Sequence, residues 1–323
     1  MIAVTGAAGF IGSCFVRTLN EKGVNDILII DSLGQDDRWN NLATKRFRGI
    51  EHPEVFKRKC SEGVYDAKDI TALIHLGACS STTERNAEFL LENNYRYSIA
   101  MAQFAMAHDI PFLYASSAAT YGAGEQGYND AQSIGLRPLN MYGYSKQLFD
   151  EWMIDNGYDS SAIGIKFFNV FGPNEYHKGD MASMIFKSWK QVISQGYISL
   201  FASDIKEYPD GGQMRDFIYV KDACEVMWNM LATKSPKGIV NLGTGKARTW
   251  NDLAQAVFSA LGKEADIRYV SMPDSLKGQY QYYTQAEMSK LQTSPSAYAF
   301  MELEDSIAEY VMHHLQKIDK RYY

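Results

Sequence analysis

The sequence predicts an α/β protein with a doubly wound parallel sheet of the Rossmann type and a smaller α/β lobe that binds substrate. Residues 2–4 form a short apolar strand pattern, residues 5–12 are rich in glycine, and an amphipathic helix pattern follows through about Leu19. Short apolar runs then alternate with longer amphipathic stretches along the chain. Such alternation is typical of parallel strands joined by helices on both faces of one sheet.

Three glycines, Gly6, Gly9 and Gly12, follow the first strand. Glycines let the backbone turn tightly and approach a pyrophosphate, which the free N–H groups and the positive dipole end of a helix N-terminus then bind. The spacing is G-x-x-G-x-x-G and departs from the usual G-x-G-x-x-G fingerprint. A glycine-rich turn without a ligand is the alternative interpretation, but the order strand, glycines, helix, strand favours a dinucleotide.

The second strand pattern, residues 26–30, ends at Asp31. An acidic residue about 20 positions beyond the glycines normally accepts hydrogen bonds from the adenosine ribose hydroxyls and favours NAD. Ser32 follows it, and Arg38 lies further along the same loop, where it could bind a 2′-phosphate or be an ordinary surface residue. The sequence therefore predicts a nicotinamide dinucleotide and leaves the choice between NADP and NAD open.

Tyr142 and Lys146 are four residues apart, so they share one face of a predicted helix. There the ammonium is expected to lower the pKa of the phenol from about 10 towards working pH. A phenolate in this position can take the proton from a sugar hydroxyl while hydride leaves the same carbon. The Y-x-x-x-K pattern alone is a weak signal, and it gains weight only because the chain also predicts a nicotinamide site.

Further strand patterns end in small or polar residues. They are residues 73–76, 111–115 and 162–168, which are followed by the turn 77–80, by Ser117 and by Asn169. Because ligands bind at the carboxyl ends of parallel strands in such folds, we expect the residues that follow the strands to converge on one cleft. These residues are Gly6, Asp31, Gly77, Ser117 and Asn169.

The remaining patterns divide the chain into two parts. Residues 81–84, Ser-Thr-Thr-Glu, fit a capping box for a long helix that runs to about His108. Two later helices and two later strands are predicted at 181–195, 301–317, 215–220 and 238–243. We expect a dinucleotide-binding domain at 1–170, joined by about 215–245, and a substrate-binding domain at 171–214 and 246–323.

Composition excludes several classes of function. The chain has 323 residues and a net charge of −6, so no basic footprint indicates nucleic acid, and phosphate groups must be bound by local clusters. Four scattered cysteines show neither metal-binding nor disulfide spacing. The first strand leaves no room for a signal peptide, and no apolar run approaches membrane-spanning length. These features predict a reduced, cytoplasmic protein without a metal and without a membrane partner.

Four motifs resemble those of the extended short-chain dehydrogenases/reductases over essentially the whole chain. They are T-G-x-x-G-F-I-G at the start, A-S-S-A-A-T-Y-G at 115–122, Y-x-x-x-K, and R-D-F-I-Y-V-x-D. Three narrower motifs resemble the ADP-L-glycero-D-manno-heptose 6-epimerases. These motifs are residues 77–84, residues 169–173 followed by His-Lys-Gly at 177–179, and residues 276–281.

The resemblance implies an isomerase that inverts C6 of ADP-D-glycero-β-D-manno-heptose. The reaction would proceed by transient oxidation with bound NADP and re-reduction on the other face, and would supply a precursor of the lipopolysaccharide inner core. It also implies a homo-oligomer, since the family is pentameric. The alternatives are another nucleotide-sugar epimerase or dehydratase of the same superfamily, and a non-catalytic nucleotide-binding scaffold, which the intact Ser117, Tyr142 and Lys146 disfavour.

The resemblance also assigns the site residues. Tyr142 would be one acid/base, Lys146 its pKa partner and ribose ligand, Ser117 the hydroxyl that orients the substrate, and Lys178 a second acid/base that also contacts the cofactor. Cofactor positions would be Gly6, Gly9, Phe10, Ile11, Gly12, Asp31, Ser32, Arg38, Leu76, Gly77, Ala78, Cys79, Ser80, Asn93, Lys146 and Val170. Substrate positions would be Ser117, Asn169, Asp180, Lys187, Phe201, Ala202, Ser203, Asp204, Arg215 and Tyr280.

Two acid/base groups suit this chemistry. Hydride must return to the opposite face of the substrate carbon, so the carbonyl group rotates and its oxygen then needs a proton donor at a different place. Tyr142 can serve one orientation and Lys178 the other, although a solvated loop lysine or a simple phosphate ligand is the alternative for Lys178. Two positions depart from the family pattern: Leu76 stands in place of an acid, and Asp180 in place of serine. The segment 207–213 is also longer than usual.

Overall fold

The computed structural model describes residues 1–274 and 280–317, and within these residues the chain forms twelve β-strands. The strands are β1 (Ile2–Thr5), β2 (Ile27–Ile30), β3 (Gly49–Glu51), β4 (Ala72–His75), β5 (Phe112–Ser117), β6 (Ile163–Phe167), β7 (Asn169–Phe171), β8 (Ile198–Phe201), β9 (Met214–Tyr219), β10 (Gly238–Leu242), β11 (Ala247–Thr249) and β12 (Ile267–Val270).

Ten α-helices connect or cover these strands in the described part of the chain. They are α1 (Phe10–Glu21), α2 (Pro53–Ser61), α3 (Ala87–Leu90), α4 (Tyr97–Ala107), α5 (Met141–Asp155), α6 (Met184–Gln195), α7 (Val220–Thr233), α8 (Trp250–Ala260), α9 (Ser289–Gln292) and α10 (Leu303–Tyr310). A π-helical stretch, Leu91–Arg96, joins α3 to α4, and a second one, Val311–Leu315, follows α10. No helix of the described residues is both long enough and apolar enough to cross a bilayer.

Seven parallel strands form the central sheet in the order β10-β6-β5-β4-β1-β2-β3. The chain runs outward from β1 in one direction through β2 and β3 and in the other through β4, β5 and β6. Ligands bind in such sheets outside the carboxyl ends of the strands, at the point where the strand order reverses. That point lies between β1 and β4, and the predicted doubly wound fold is confirmed.

Both faces of the central sheet are covered, which explains the composition of its strands. All four residues of β2 and all four of β4 are buried. A parallel sheet that is covered on both faces uses nearly continuous apolar runs in place of alternation. Helices α1 and α7 pack together on one face, and α2 and α4 pack together on the other.

The second half of the chain builds two smaller sheets. Strands β11, β9 and β7 form one of them, and β8 and β12 pair in parallel as the other. Helix α8 packs against both α6 and α10 beside these sheets. Strand β10 confirms the strand predicted at 238–243 and pairs with β6 in the central sheet, whereas β9 lies in the three-stranded sheet. The division into two domains at the stated boundaries stays a prediction.

The predicted start of the long helix was wrong. Ser81 does not cap a helix, because its hydroxyl bonds to that of Thr83 at 3.1 Å. Helix α3 begins five residues later than the motif suggests, and its N-cap is Asn86, whose side chain accepts a hydrogen bond from the Phe89 N–H at 3.0 Å. Asparagine ranks among the strongest N-cap residues, and Glu84 supports it by accepting a hydrogen bond from the Asn86 N–H at 2.7 Å.

Candidate active site

Close packing between β1 and β4 requires glycine at both strand ends. Gly6 has φ of +66°, and a Cβ at this position would lie 2.6 Å from Gly77 Cα. A Cβ on Gly12 would lie 2.1 Å from the carbonyl oxygen of Gly6. The Gly77 N–H also donates to Thr5 Oγ1 at 3.0 Å. The glycines therefore bring the turn after β1, the start of α1 and the turn after β4 into direct contact.

The N-terminus of α1 fits a pyrophosphate. Its N-cap is Gly9, which offers no side chain to the N–H groups of the first helical turn. Asp31, at the end of β2, accepts a hydrogen bond from the Ala8 N–H at 2.8 Å and so fixes the glycine turn beside a carboxylate. Burial raises the pKa of Asp31, while the Ala8 bond and Arg38 oppose the rise. Phe10 is buried and Ile11 half-buried on the first turn of the helix.

Arg38 lies beside Asp31, as the predicted cofactor site requires. Its Nη1 is 3.8 Å from Asp31 Oδ1. Sequence reasoning missed Asp36, whose two carboxylate oxygens accept hydrogen bonds from Arg38 Nε at 2.9 and 2.8 Å. Two carboxylates therefore flank the guanidinium group, and the half-buried Ser32 follows Asp31 in the same loop.

The loop 76–80 is held by a residue that the sequence did not single out. Asn94 is fully buried; its Oδ1 accepts from the Cys79 N–H at 2.8 Å and its Nδ2 donates to the Cys79 carbonyl at 2.9 Å. The same Nδ2 lies 3.0 Å from Ser145 Oγ on α5. The predicted neighbour, Asn93, is exposed and donates to the Phe89 carbonyl at 2.8 Å. Two consecutive asparagines in a predicted helix could have indicated a buried polar side chain. The sequence does not show, however, which of the two faces inward.

Helix α5 carries Tyr142 and Lys146 to the end of β5. The helix is capped by Asn140, whose side chain accepts from the Gly143 N–H at 2.8 Å. Tyr142 is hydrogen-bonded to Ser117, the last residue of β5. The buried Lys146 donates from Nζ to the Ala115 carbonyl of the same strand at 2.8 Å. The structure thus brings the three predicted residues together.

The pKa of Tyr142 differs from the expectation. Burial raises the pKa of the Tyr142 phenol, and the hydrogen bond with Ser117 opposes the rise. Burial also lowers the pKa of the Lys146 ammonium to about 8, while Asp150 acts in the opposite direction. The predicted lowering of the phenol's pKa by Lys146 was therefore wrong for these side chains, because desolvation is the larger effect.

Lys178 lies against the glycine-rich turn. It belongs to a 3-10 segment, Tyr176–Met181, in which Gly179 has φ of +53°. Its Nζ is 5.3 Å from the centre of the Phe10 ring, so a lysine 168 positions away along the chain reaches the start of α1. Desolvation lowers the pKa of Lys178, and Glu175 acts in the opposite direction. The side chain is thus not a freely solvated loop lysine.

A buried carboxylate anchors the segment that carries Lys178. Glu175 Oε1 accepts from the Gly172 N–H at 3.2 Å, from Ser183 Oγ at 2.7 Å and from the Tyr310 hydroxyl at 3.1 Å. Glu175 is fully buried, and burial raises its pKa against these hydrogen bonds. It was absent from the sequence prediction, since a carboxylate in a polar motif gives no sign of burial.

Arg215, on β9, is a buried cation in an aromatic setting. Its guanidinium carbon is 5.0 Å from the centre of the Tyr280 ring and 5.7 Å from that of the Trp250 ring. Trp250 Nε1 donates to the Tyr280 hydroxyl at 2.8 Å. No ion pair within the described residues involves Arg215, and one of its Nη atoms donates to the Met214 carbonyl at 2.9 Å. A buried charge is normally paired, so this arrangement suits an anionic ligand.

The predicted segment 201–204 lies beside this arginine. The Phe201 and Tyr280 rings are 6.5 Å apart between centres. The Asp204 carboxylate accepts from the Tyr282 hydroxyl at 2.6 Å, and the Ser203 N–H donates to Asp210 Oδ1 at 2.7 Å. The longer segment 207–213 therefore folds back onto the strand end. Residues 276–279 of the predicted motif 276–281 lie outside the described residues.

The other predicted residues fall into three places. Asn169 and Val170 lie on β7, whose register pairs Asn169 with Phe217 of the strand that carries Arg215. Lys187, on α6, donates from Nζ to the carbonyl of Asp180 at 2.6 Å. The half-buried Leu76, Gly77, Ala78 and Cys79 and the exposed Ser80 form the turn after β4. Whether each of these residues binds cofactor or substrate stays a prediction.

Two known proteins resemble this chain in sequence over nearly its whole length. The chain is 50% identical over 321 residues to the ADP-L-glycero-D-manno-heptose-6-epimerase of Nitratidesulfovibrio vulgaris, with 99% of both chains covered. It is 44% identical to the enzyme of the same name from Fusobacterium nucleatum, again with 99% of both chains covered.

A solved structure shows the same fold. The Helicobacter pylori ADP-L-glycero-D-manno-heptose-6-epimerase superposes with a TM-score of 0.80 at 24% identity, covering 97% of this chain and 95% of that one. Residues 2–243 match the NAD dependent epimerase/dehydratase family, a range that includes the glycine turn, Tyr142 with Lys146, and Arg215. The chain belongs to the NAD dependent epimerase/dehydratase family.

Proposed function

We propose that this enzyme inverts C6 of ADP-D-glycero-β-D-manno-heptose to give ADP-L-glycero-β-D-manno-heptose. The observation that carries the proposal is the 50% identity, over 99% of both chains, to a relative named for that activity. The second support is geometric. Tyr142, Ser117 and Lys146 meet at the end of β5, and a buried arginine without a carboxylate partner among the described residues lies in the neighbouring sheet.

A nicotinamide cofactor, when bound, supplies the hydride acceptor and donor of such an epimerisation. The protein must then handle protons at the substrate oxygen. Tyr142 is placed to exchange a proton with that oxygen. Ser117 orients the substrate hydroxyl in this proposal. The Ser117 side chain is itself fixed, because its oxygen accepts a hydrogen bond from the Ala119 N–H at 3.1 Å and its hydroxyl bonds with Tyr142. Lys178 is the second proton-transfer group in this proposal and serves the rotated orientation of the oxygen.

The nucleotide-sugar is held by the second half of the chain in this proposal. Its pyrophosphate carries two negative charges, which an acidic protein must meet with local cations, and Arg215 offers a planar fork for bidentate contact. Tyr280 and Phe201 provide aromatic faces for the adenine, and Lys187 adds a further cation. The carboxylate of Asp180 acts against an anionic substrate, and this position departs from the family pattern.

For the cofactor we propose NADP, with NAD as the alternative. Arg38 supports NADP because a guanidinium beside the ribose-binding carboxylate can bind a 2′-phosphate. The carboxylates of Asp31 and Asp36 on either side of it act against a phosphate dianion. The preference for NADP or NAD therefore depends on whether Arg38 leaves its ion pair with Asp36 to bind the 2′-phosphate.

Replacing Arg38 by Ala is expected to weaken NADP binding by about tenfold or more and NAD binding much less, because a hydrogen-bonded charge contact is lost only with the 2′-phosphate. Asp36→Ala should have the opposite effect on NADP, since it frees the guanidinium and removes a negative charge. Titration of each dinucleotide against each variant measures both effects. Arg48→Ala is the control, because Arg48 is exposed and pairs with Asp26. Equal losses for both dinucleotides would show that Arg38 does not bind the phosphate.

Replacing Arg215 by Ala should raise KM for the ADP-sugar by on the order of tenfold or more, because the pyrophosphate loses a charged hydrogen-bond donor. Arg215→Lys should rescue only part of the loss, since an ammonium cannot form the bidentate contact. Steady-state kinetics give both values. Arg268→Ala, which removes an exposed arginine paired with Asp266 in the same half of the chain, should leave KM unchanged. A normal KM for Arg215→Ala would remove Arg215 from the proposed site.

The direct test of the proposed function is incubation with ADP-D-glycero-D-manno-heptose, with the C6 configuration followed by NMR. ADP-heptose should turn over, while UDP-galactose and dTDP-glucose should not. Comparable kcat/KM for C4 epimerisation of UDP-galactose would replace the proposal with another epimerase of the same family. A 4,6-dehydratase requires an acidic pair just after β5. This chain has Ala118 and Ala119 there, which disfavours that alternative.

The remaining parts of the proposal rest on the family resemblance alone. They are a cytoplasmic homo-oligomer and a role in supplying a precursor of the lipopolysaccharide inner core. Light scattering on the purified protein tests the oligomeric state, and a monomer would contradict the proposal.

A further inference from the structure

Asp150 lies behind the catalytic pair on the same helix. It follows Lys146 by four residues and Tyr142 by eight, so the three side chains share one face of α5. Its carboxylate Oδ2 is 2.7 Å from Lys166 Nζ on β6, and the side chains of both residues have zero exposure. No other ion pair between described residues is fully buried on both sides.

Hydrogen bonds join this ion pair to the end of β5. Ser116 Oγ donates to Asp150 Oδ2 at 2.6 Å, and Lys166 Nζ donates to Thr120 Oγ1 at 2.6 Å. Thr120 Oγ1 in turn donates to the carbonyl of Ser117 at 2.8 Å. The pair is thus connected through neutral groups to the strand that supplies Ser117 and the carbonyl that binds Lys146.

Stability alone is a weak reason for such a pair. Taking two charges out of water costs free energy that their attraction often fails to repay, and a well-packed apolar pair of similar volume is frequently as stable or more so. The position next to a buried catalytic ammonium offers another reason, since charges act on one another more strongly in the interior than in water.

Asp150 is the carboxylate among the titratable groups that surround Lys146. Burial holds His75 neutral, with its pKa lowered to about 3, and burial keeps the Tyr114 phenol protonated by raising its pKa well above the ordinary value. Asp150, Cys79 and His75 interact with Lys146 itself. Tyr114 and Lys166 interact with Asp150 from β5 and β6. Tyr142 lies one turn before Lys146 on the same face of α5.

We propose that Asp150 and Lys166 form a positioning pair that sets the protonation state of Lys146. Asp150 favours the ammonium form of Lys146, and Lys166 limits that effect by neutralising most of the carboxylate's charge. The link to catalysis rests on the proposed function, whereas the effect on Lys146 does not.

The pair predicts shifts of opposite sign. Asp150→Asn leaves Lys166 as an unbalanced positive charge, so the pKa of Lys146 should fall. Lys166→Met leaves Asp150 as an unbalanced negative charge, so the pKa of Lys146 should rise. Each shift should be on the order of one pKa unit, because helical residues four apart lie side by side and an adjacent charge typically has an effect of that size. The double variant, in which both charges are gone, should lie between the two.

The titration of Lys146 can be followed directly by NMR of the protein labelled at lysine Cε, with the resonance assigned through Lys146→Arg. This readout requires neither substrate nor turnover. If the wild-type enzyme fails to epimerise ADP-heptose while the lysine shifts appear, the proposed function is wrong and the charge pair stands. If turnover is confirmed, the alkaline limb of kcat/KM should move down in Asp150→Asn and up in Lys166→Met.

A purely structural role gives a different result. Both single variants would then lose stability while the Lys146 titration stayed in place, and the proposal would be wrong. Asp130→Asn is the matched control, because this buried carboxylate accepts from the Asn241 N–H at 2.8 Å and lies outside the group around Lys146. If Asp150→Asn does not fold, the pKa of Lys146 in the double variant can be compared with that in Lys166→Met. These two proteins differ only at residue 150, so the comparison answers the same question.

Discussion

Replacing Tyr142 by Phe is expected to lower kcat by on the order of 10² or more, the usual contribution of a positioned acid/base group. The change removes the phenol oxygen that exchanges the substrate proton in the proposed function, and it keeps the ring that packs at the end of β5. Binding of the dinucleotide should survive, because the glycine turn and Asp31 are untouched. Turnover of ADP-heptose and dinucleotide titration measure the two effects separately.

Tyr144→Phe is a matched control for this experiment. Tyr144 lies on the same helix, two residues from Tyr142 and so on a different face of it, and its side chain is 47% exposed. Its loss should leave kcat within a small factor of the wild-type value. Near-normal turnover in Tyr142→Phe would assign the proton transfer to another group and would leave the fold and cofactor site intact.

Replacing Lys178 by Met should be comparably damaging, with a loss in kcat on the order of 10² or more, if the amine is the second acid/base. Because desolvation lowers its pKa, the limb on which activity falls as the amine becomes protonated should lie at lower pH than for an ordinary lysine. That limb should be absent from the variant. Steady-state kinetics across pH measure both effects.

Lys190→Met supplies the control for Lys178, since Lys190 is an exposed lysine on α6. A different outcome would assign Lys178 another role. If Lys178→Met mainly raises KM and leaves kcat near normal, the residue only binds phosphate groups, and one acid/base must serve both faces of the substrate.

The parts of the site that follow regular backbone patterns could be predicted. Buried apolar runs located the strands of the central sheet, and the direction of these strands placed Gly6, Asp31 and Ser117 at the same edge of that sheet. Helical spacing placed Tyr142 beside Lys146. These inferences need only the period of the backbone and the direction of the strands.

The parts that depend on three-dimensional neighbours could not be predicted. Asn94 holds the loop after β4 because it points inward while Asn93 points outward, and the sequence contains no sign of that difference. The salt bridge of Asp36 to Arg38 and the burial of Glu175 are of the same kind. The pKa of Tyr142 was predicted with the wrong sign, since the degree of desolvation is a property of the packed site.

The hydrogen bond from Tyr310 to Glu175 has a consequence for the order in which the enzyme becomes competent. The two residues are 135 positions apart, and Glu175 anchors the segment that carries Lys178. Tyr142, Ser117 and two hydrogen-bond partners of Glu175, Gly172 and Ser183, leave the ribosome well before Tyr310 does. In the proposed function, where Lys178 is the second acid/base, the full set of hydrogen bonds that anchors its segment is therefore complete only after α10 has been synthesised and has docked.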